Sequence, residues 1–233
     1  MLYTAIVLAA GKGKRMKSDV SKQFLELNGK PVLYYSLAAF EKSPVDQVIL
    51  VTGEQDIEYC KKEIVEKYGF QKVIKITAGG KERYDSVWRG LQAAGICDYI
   101  LIHDGARAFI DQDTIKRCME DVQTSKACVA AVPVKDTIKK VDADLLGVET
   151  PDRSSLWTIQ TPQVFEQKLI YTAYQKLAAE QANGNAPAVT DDTMVAEHYM
   201  NVRAHMVMGS YYNIKVTTPE DLVMGKAILE AEK

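Results

Sequence analysis

The sequence predicts an α/β fold: a Rossmann-like, mainly parallel twisted sheet with helices on both faces and an extended β-arm. Three observations carry this. Apolar runs of strand length alternate with segments of helical period. The first run ends in a glycine-rich, cationic loop. After Val134 the alternation stops for about twenty residues and then resumes.

Taken in order, the strands fall at residues 5–9, 47–52, 72–77, 99–103 and 128–134. Helical patterns lie between them at 32–41, 57–68, 86–94 and 114–124. Residues 135–157 have no helical period. Strand-like segments at 137–141 and 148–150 flank a turn at 142–147, which reads as a two-stranded arm. An isolated hairpin is marginal in water, so the arm needs another surface, and a second subunit would supply one. The alternative is a plain surface insertion. Helices return at 166–181 and 191–199. Strand-like segments follow at 203–208 and 213–216. A closing helix starts near Pro219, with Thr218 as its N-cap. No linker divides residues 1–233, so the chain reads as one domain carrying its arm at about 135–157.

Composition excludes several functions. With 233 residues, 47% hydrophobic and 26% charged, the chain has the make-up of a globular protein. A formal charge of −2 argues against a nonspecific nucleic-acid binder. No apolar run approaches the roughly 18 residues of a membrane span, and no signal peptide is visible. The four cysteines (Cys60, Cys97, Cys118, Cys128) lie far apart and read as reduced thiols of a cytoplasmic protein. His103, His198 and His205 lack metal-ligand spacing, and His103 reads as structural.

The chemistry concentrates at strand ends. In residues 8–16, Gly11 and Gly13 let the backbone approach a ligand, while Lys12, Lys14 and Arg15 crowd the same loop. Backbone N–H groups beside such cations suit phosphate; the plainer reading is a tight turn with a basic tip. The Walker spacing is absent, and Met16 stands where a dinucleotide loop needs a third small residue. Lys22 is near enough to fold over the same phosphates. Gly79-Gly80 followed by Ser86, and His103-Asp104 followed by Arg107, end two further strands. Ser86 can donate to a base or phosphate, and Asp104 can accept from hydroxyls or hold a metal through water. Lys215 interrupts an apolar segment, so it sits either at an exposed edge or in a site. Thr190-Asp191-Asp192 reads as a helix cap with an acidic first turn, and adjacent helical carboxylates diverge too far for acid–base work.

Nine segments in this order resemble the 2-C-methyl-D-erythritol 4-phosphate cytidylyltransferase family. They are L-A-A-G-x-G-x-R-M from Leu8, K-Q-F from Lys22, G-G-x-E-R-x-D-S-V from Gly79, H-D-x-A-R from His103, P-V-x-D-T-I-K from Pro133, D-R-x-x-L-W from Asp152, T-P-Q-x-F from Thr161, T-D-D from Thr190 and N-I-K-V-T-x-P-E-D-L from Asn213. Ribitol-5-phosphate cytidylyltransferases share much of this order. They usually carry A-G-G-x-G-T-R-M and lack D-R-x-x-L-W, so Ala10, Lys14, Asp152, Arg153, Leu156 and Trp157 favour the erythritol family. A CTP-binding regulatory relative is the non-enzyme alternative; two anion clamps argue against it. Met16 argues against a dinucleotide-dependent oxidoreductase.

The resemblance implies a nucleotide-diphospho-sugar transferase type of fold. It also implies CTP as co-substrate, Mg²⁺ bridging the CTP phosphates with no direct protein ligand, near Asp104, and a homodimer. Arg15 and Lys22 would neutralise the CTP phosphates, with Gly11 and Gly13 admitting them. Ala9, Ala10, Gly80, Ser86 and Gly105 would lie along the nucleotide. Arg153 and Lys215 would hold the erythritol phosphate, surrounded by Asp104, Arg107, Thr137, Thr161 and Thr190, with Thr137 and Arg153 entering the partner's site. The family often has Pro in place of Ser21, Asp in place of Lys81, Ala in place of Gly105 and Pro in place of Ala108.

Overall fold

The computed structural model describes residues 1–11 and 21–231. Its centre is β1 (Tyr3–Ala9), an apolar strand buried along its length. Burial on both faces is what a parallel strand covered by helices requires. The chain then makes a short antiparallel pair, β2 (Glu26–Leu27) with β3 (Lys30–Pro31), and enters α1 (Val32–Lys42). Next come β4 (Gln47–Thr52), α2 (Ile57–Tyr59) continued as π-helical turns over Cys60–Glu66, β5 (Val73–Ala78) and α3 (Arg83–Ala93). β6 (Tyr99–Asp104), α4 (Gln112–Ser125) and β7 (Ala127–Pro133) complete the alternating part. Beyond β7 lie β8 (Lys140–Val141), β9 (Gly147–Glu149), β10 (Trp157–Glu166), α5 (Gln167–Ala182), α6 (Asp192–Met200), β11 (His205–Met208) and α7 (Pro219–Ala231).

Seven strands form the main sheet in the order β11-β7-β10-β6-β1-β4-β5. All pairings are parallel except those of β10, which runs antiparallel to both β6 and β7. The period of two sorts side chains onto two faces. Ala5, Val7, Leu50 and Leu101 pack with Leu33, Leu37 and Phe40 of α1 and Ile115 of α4. Ile6, Ile49, Val51 and Ile102 pack with Val87 and Leu91 of α3 and with Ile170 and Tyr174 of α5. Successive connections leave β1 on opposite sides, toward β4 and toward β6, so a crevice opens between the carboxyl ends of β1 and β6.

Two sequence expectations are corrected. Residues 157–165 form most of a ten-residue strand, β10, where no strand was expected. Pro162 hides it, because proline cannot donate to a ladder. It sits where the register with β7 shifts between Ile159 and Gln163, so no ladder bond is lost there. Residues 213–216 are not a strand: Val216 N–H alone reaches across, to the Ala106 carbonyl at 2.8 Å, while Ile214 N–H turns back to Tyr212. In residues 135–157 only β8 and β9 pair with each other, and Thr137 lies outside both; residues 135–150 are exposed throughout.

Helix ends follow local chemistry. Asp111 accepts from Thr114 N–H at 2.6 Å to cap α4, and Asp191 accepts from Met194 N–H at 2.9 Å to cap α6. At α7 the Asp221 carboxylate accepts from the N–H groups of Thr217 and Thr218, each at 2.8 Å.

Gly90 marks the closest approach of α3 to the sheet. A Cβ there would lie 2.5 Å from Ile6 Cγ2, a rigid atom in a filled core. Alanine in a helix ordinarily gains up to about 1 kcal/mol over glycine. Overpacking outweighs that, and Gly90→Ala is expected to destabilise by about 1–3 kcal/mol, measured as a lower urea midpoint at unchanged m-value.

Candidate active site

The crevice beyond β1 and β6 is a cleft of about 750 Å³. One wall is the end of β1, Leu8 to Gly11, with Lys22 and Gln23 behind it. The opposite wall is Gly80 to Arg83 with Ser86, from the β5–α3 loop and first turn of α3. Asp104 and Ala106 form the floor, with Lys215 against Asp104.

Glycine is required where these walls meet. A Cβ on Gly79 would collide with Ala10 Cβ, and one on Gly80 with Asp85 Cβ. The Gly80 N–H donates to Ser86 Oγ (3.1 Å), and that hydroxyl donates in turn to the Glu82 carbonyl (3.2 Å). Ser86 thus ties the loop to α3 while lining the cleft. Gln23 is buried and donates to the Ala9 carbonyl at 2.5 Å, fixing the end of β1.

The floor is a row of alternating charges. Asp104 Oδ2 meets Lys215 Nζ at 2.7 Å, and Asp104 Oδ1 meets Arg83 Nε at 3.3 Å. The two terminal nitrogens of Arg83 grip Asp192 at 2.8 and 2.7 Å, a bidentate pair. Asp192 is fully buried, and its carboxylate also accepts from Tyr174 Oη at 2.5 Å. Gln163 Oε1 accepts from the Asp192 and Thr193 N–H groups at 2.9 and 3.0 Å. Burial alone would raise the Asp104 pKa, but Arg83, Lys215 and Arg107 hold it well below the usual carboxylate range. Burial and the neighbouring Asp192 push the Tyr174 phenol well above its ordinary value, so it stays a donor.

Beneath the floor, His103 is fully buried, and burial lowers its pKa to about 4. The neutral ring's tautomer follows from its partners. Nε2 faces the Arg107 carbonyl at 3.1 Å, which can only accept, so Nε2 carries the hydrogen. Nδ1 then accepts from Thr161 Oγ1 at 3.0 Å, and Thr161 Oγ1 accepts from Asp104 N–H at 3.1 Å. Arg107 donates to the carbonyls of Asn213 (2.7 Å) and Ile159 (3.4 Å). Asn213 Nδ2 donates to the Thr161 carbonyl at 2.9 Å, anchoring the loop that carries Lys215.

Of the residues singled out from sequence, the cleft gathers Ala9, Ala10, Gly11, Lys22, Gly80, Ser86, Asp104 and Lys215. Thr161 and Arg107 lie under or beside the floor, as supports of Asp104 and of the Lys215 loop. Gly105 is buried, and its missing Cβ would face Leu33 and the Leu8 carbonyl. Thr190 is exposed, its Oγ1 against Met194 Sδ. Thr137 and Arg153 are exposed and do not line the cleft; Arg153 donates to the Lys135 carbonyl at 2.9 Å. Gly13 and Arg15 lie outside the described residues. Sequence reasoning assigned no role to Arg83, Gln163 or Gln23, and read Asp192 only as part of an acidic first helical turn. Each lies within a quoted segment, and the signal is a polar side chain that the fold must bury.

Both oxygens of Asp104 already meet cations, and among the described residues no cluster of three or more His, Cys, Asp or Glu is placed to hold a metal. Asp104 therefore does not fit a direct Mg²⁺ ligand.

The family model described as "IspD: 2-C-methyl-D-erythritol 4-phosphate cytidylyltransferase" matches residues 3–231. The chain belongs to the 2-C-methyl-D-erythritol 4-phosphate cytidylyltransferase family. It is a nucleotidyltransferase. Proteins of that name from Lachnospira eligens and Lachnoclostridium phytofermentans are 53% and 50% identical to it. The first alignment covers 98% of this chain and all (100%) of the relative, the second 97% and 95%. A crystal structure of 4-diphosphocytidyl-2C-methyl-D-erythritol synthase from Anaerococcus prevotii superposes with a TM-score of 0.85 at 34% identity, covering 98% of this chain and 96% of that one. The mostly parallel sheet described above is thus the sheet of this cytidylyltransferase family.

Burial of neutral His103 sets a pH dependence. The unfolded chain takes up a proton near pH 6.5, whereas the folded chain resists it until about pH 4. Its contribution is complete above pH 6.5 and is lost as pH falls through that window. Between pH 7 and 5 the protein is expected to lose about 2 kcal/mol from this group. Urea unfolding of His103→Gln at the two pH values should show a correspondingly shallower acid slope.

Proposed function

We propose that this chain transfers the cytidylyl group of CTP to 2-C-methyl-D-erythritol 4-phosphate, releasing pyrophosphate. The observation that carries it is one cleft that brings the glycine-lined turns after β1 and β5 together with a cation, Lys215, held by Asp104. The substrate phosphate is largely dianionic at neutral pH, its second pKa being about 6. One of its oxygens attacks the α-phosphorus in line, the new P–O bond forms, and the bond to pyrophosphate breaks. No proton moves, so no general base is needed. The protein's task is to bring two anions together and neutralise them.

Arg15 and Lys22 take the CTP phosphates in this scheme. Ala9, Ala10, Gly11, Gly13, Gly80, Ser86 and Gly105 shape the nucleotide end. Mg²⁺, bound through CTP rather than by a protein ligand, would add to charge neutralisation there. Lys215 and Arg153 take the second phosphate, with Asp104, Arg107, Thr137, Thr161 and Thr190 around it.

Arg153 and Thr137 reach a cleft from the partner in a homodimer. The exposed apolar tip of the arm supports this: Leu145, Leu146 and Val148 are 80, 65 and 66% exposed. Residues 1–233 act as one domain with this arm. Among the described residues no helix is long and apolar enough to cross a membrane, and all four cysteines are free and buried, which suits a reducing cytoplasm. Ribitol 5-phosphate as substrate is not favoured, since the relatives above carry the methylerythritol name.

Purified protein with CTP and Mg²⁺ is expected to release pyrophosphate with methylerythritol phosphate and poorly with ribitol 5-phosphate; the reverse preference would reject the assignment. Arg15→Ala and Lys22→Ala should each lower kcat by at least ~10²-fold. Arm exchange has its own test. Arg153→Ala and Lys215→Ala proteins, each with only residual activity alone, should on mixing recover about a quarter of wild-type activity, because half the dimers then hold one intact site. No recovery after verified subunit exchange would place Arg153 in its own chain's cleft or outside both.

A further inference from the structure

We infer that Asp192, seated on the hydroxyl of Tyr174, is a positioning residue that divides the guanidinium of Arg83 so that Asp104 keeps one oxygen for Lys215. The inference rests on the proposed role of Lys215 at the second phosphate and adds the device that aims it.

A guanidinium presents its donors in a rigid fork, and a carboxylate with two free oxygens is its preferred partner. Arg83 has two carboxylates within reach. Asp192 takes both terminal nitrogens, at 2.8 and 2.7 Å, leaving Asp104 only Nε at 3.3 Å. Asp104 therefore meets Arg83 through Oδ1 alone, and Oδ2 is free to hold Lys215 at 2.7 Å.

Asp192 cannot rotate away. It is fully buried, its N–H is held by Gln163, and Tyr174 Oη closes on the same oxygen that receives one arm of the fork. Tyr174 is itself buried in the core between α5 and the sheet. The order runs from a fixed interior to a working rim: Tyr174, Asp192, Arg83, Asp104, Lys215. Without the Asp192 carboxylate, the fork would swing onto Asp104, occupy both oxygens and release Lys215. An ammonium has three donors, and Asp104 takes one, so the orientation of the other two toward a phosphate depends on that single bond.

The test uses the full-length protein and two readouts. The first is acylation of the Lys215 amine by acetic anhydride, followed by mass spectrometry, which needs no substrate. In Asp192→Asn the released amine is expected to react several-fold faster than in wild type, with other lysines unchanged. An unchanged Lys215 rate overturns the inference. The second is kcat/KM for the polyol phosphate in a double-mutant cycle. Asp192→Asn is expected to cost about ten-fold alone and almost nothing in a Lys215→Ala background, because its effect passes through that lysine. Full additivity also overturns it. If Asp192→Asn does not fold, Tyr174→Phe, which keeps the core ring and removes one donor, takes its place with a smaller effect in the same directions. Faster acylation with unaltered turnover of both Asp192→Asn and Lys215→Ala would uphold the charge row and reject the assignment of Lys215 to the second phosphate.

Discussion

The structure depends on how a carboxylate, Asp104, is kept ionised at the buried end of a central strand. Placing a lone charge there would cost several kcal/mol, and the ordinary response is protonation. Here the charge persists because cations approach both of its oxygens and Asp192 restrains one of those cations from behind. The row brings together β6, the first turn of α3, the first turn of α6 and the loop before α7. Those elements come from distant parts of the chain, so the ion row also fixes how the cleft's pieces sit on the sheet.

A second constraint is steric. The end of β1 approaches the β5–α3 loop so closely that Gly79 has no room for a side chain, and Gly80 is crowded in the same way by Asp85 of its own turn. That closeness lines this part of the cleft with backbone. Preorganisation of this kind suits a reaction with no proton to move, in which rate comes from holding two phosphates in line. His103 and Thr161 serve the same end from below. Their fixed tautomer and hydroxyl leave the Asp104 backbone one way to sit.

Much of this was legible in the sequence, for identifiable reasons. The parallel strands read as uninterrupted apolar runs because both their faces are covered, and the helices between them kept their period. Cleft residues at strand ends, such as Gly11, Gly80 and Asp104, followed from the rule that α/β sheets bind ligands there. β10 escaped because its proline sits at a bulge, a tertiary circumstance that composition does not reveal. Residues 213–216 misled in the opposite way. Their apolar members, Ile214 and Val216, pack in a small cluster with Leu27, Val32, Ala108, Phe109 and Ile228, while Lys215 between them lines the cleft. Asp192 looked like a helix-cap accessory, since nothing local announces that its carboxylate faces inward to an arginine more than a hundred residues away. Burial and long-range pairing settle such residues, and both arise only in three dimensions.

The arm leaves the sheet at Pro133 and comes back at Trp157, and these two residues are paired neighbours, with Val134 N–H closing onto the Leu156 carbonyl just beyond them. Everything between is a closed excursion, hung from a gate whose posts are already tied together. Its length and its apolar tip can drift over evolutionary time without disturbing the register of β7 or β10. The register of the two strands is set without help from what hangs between them.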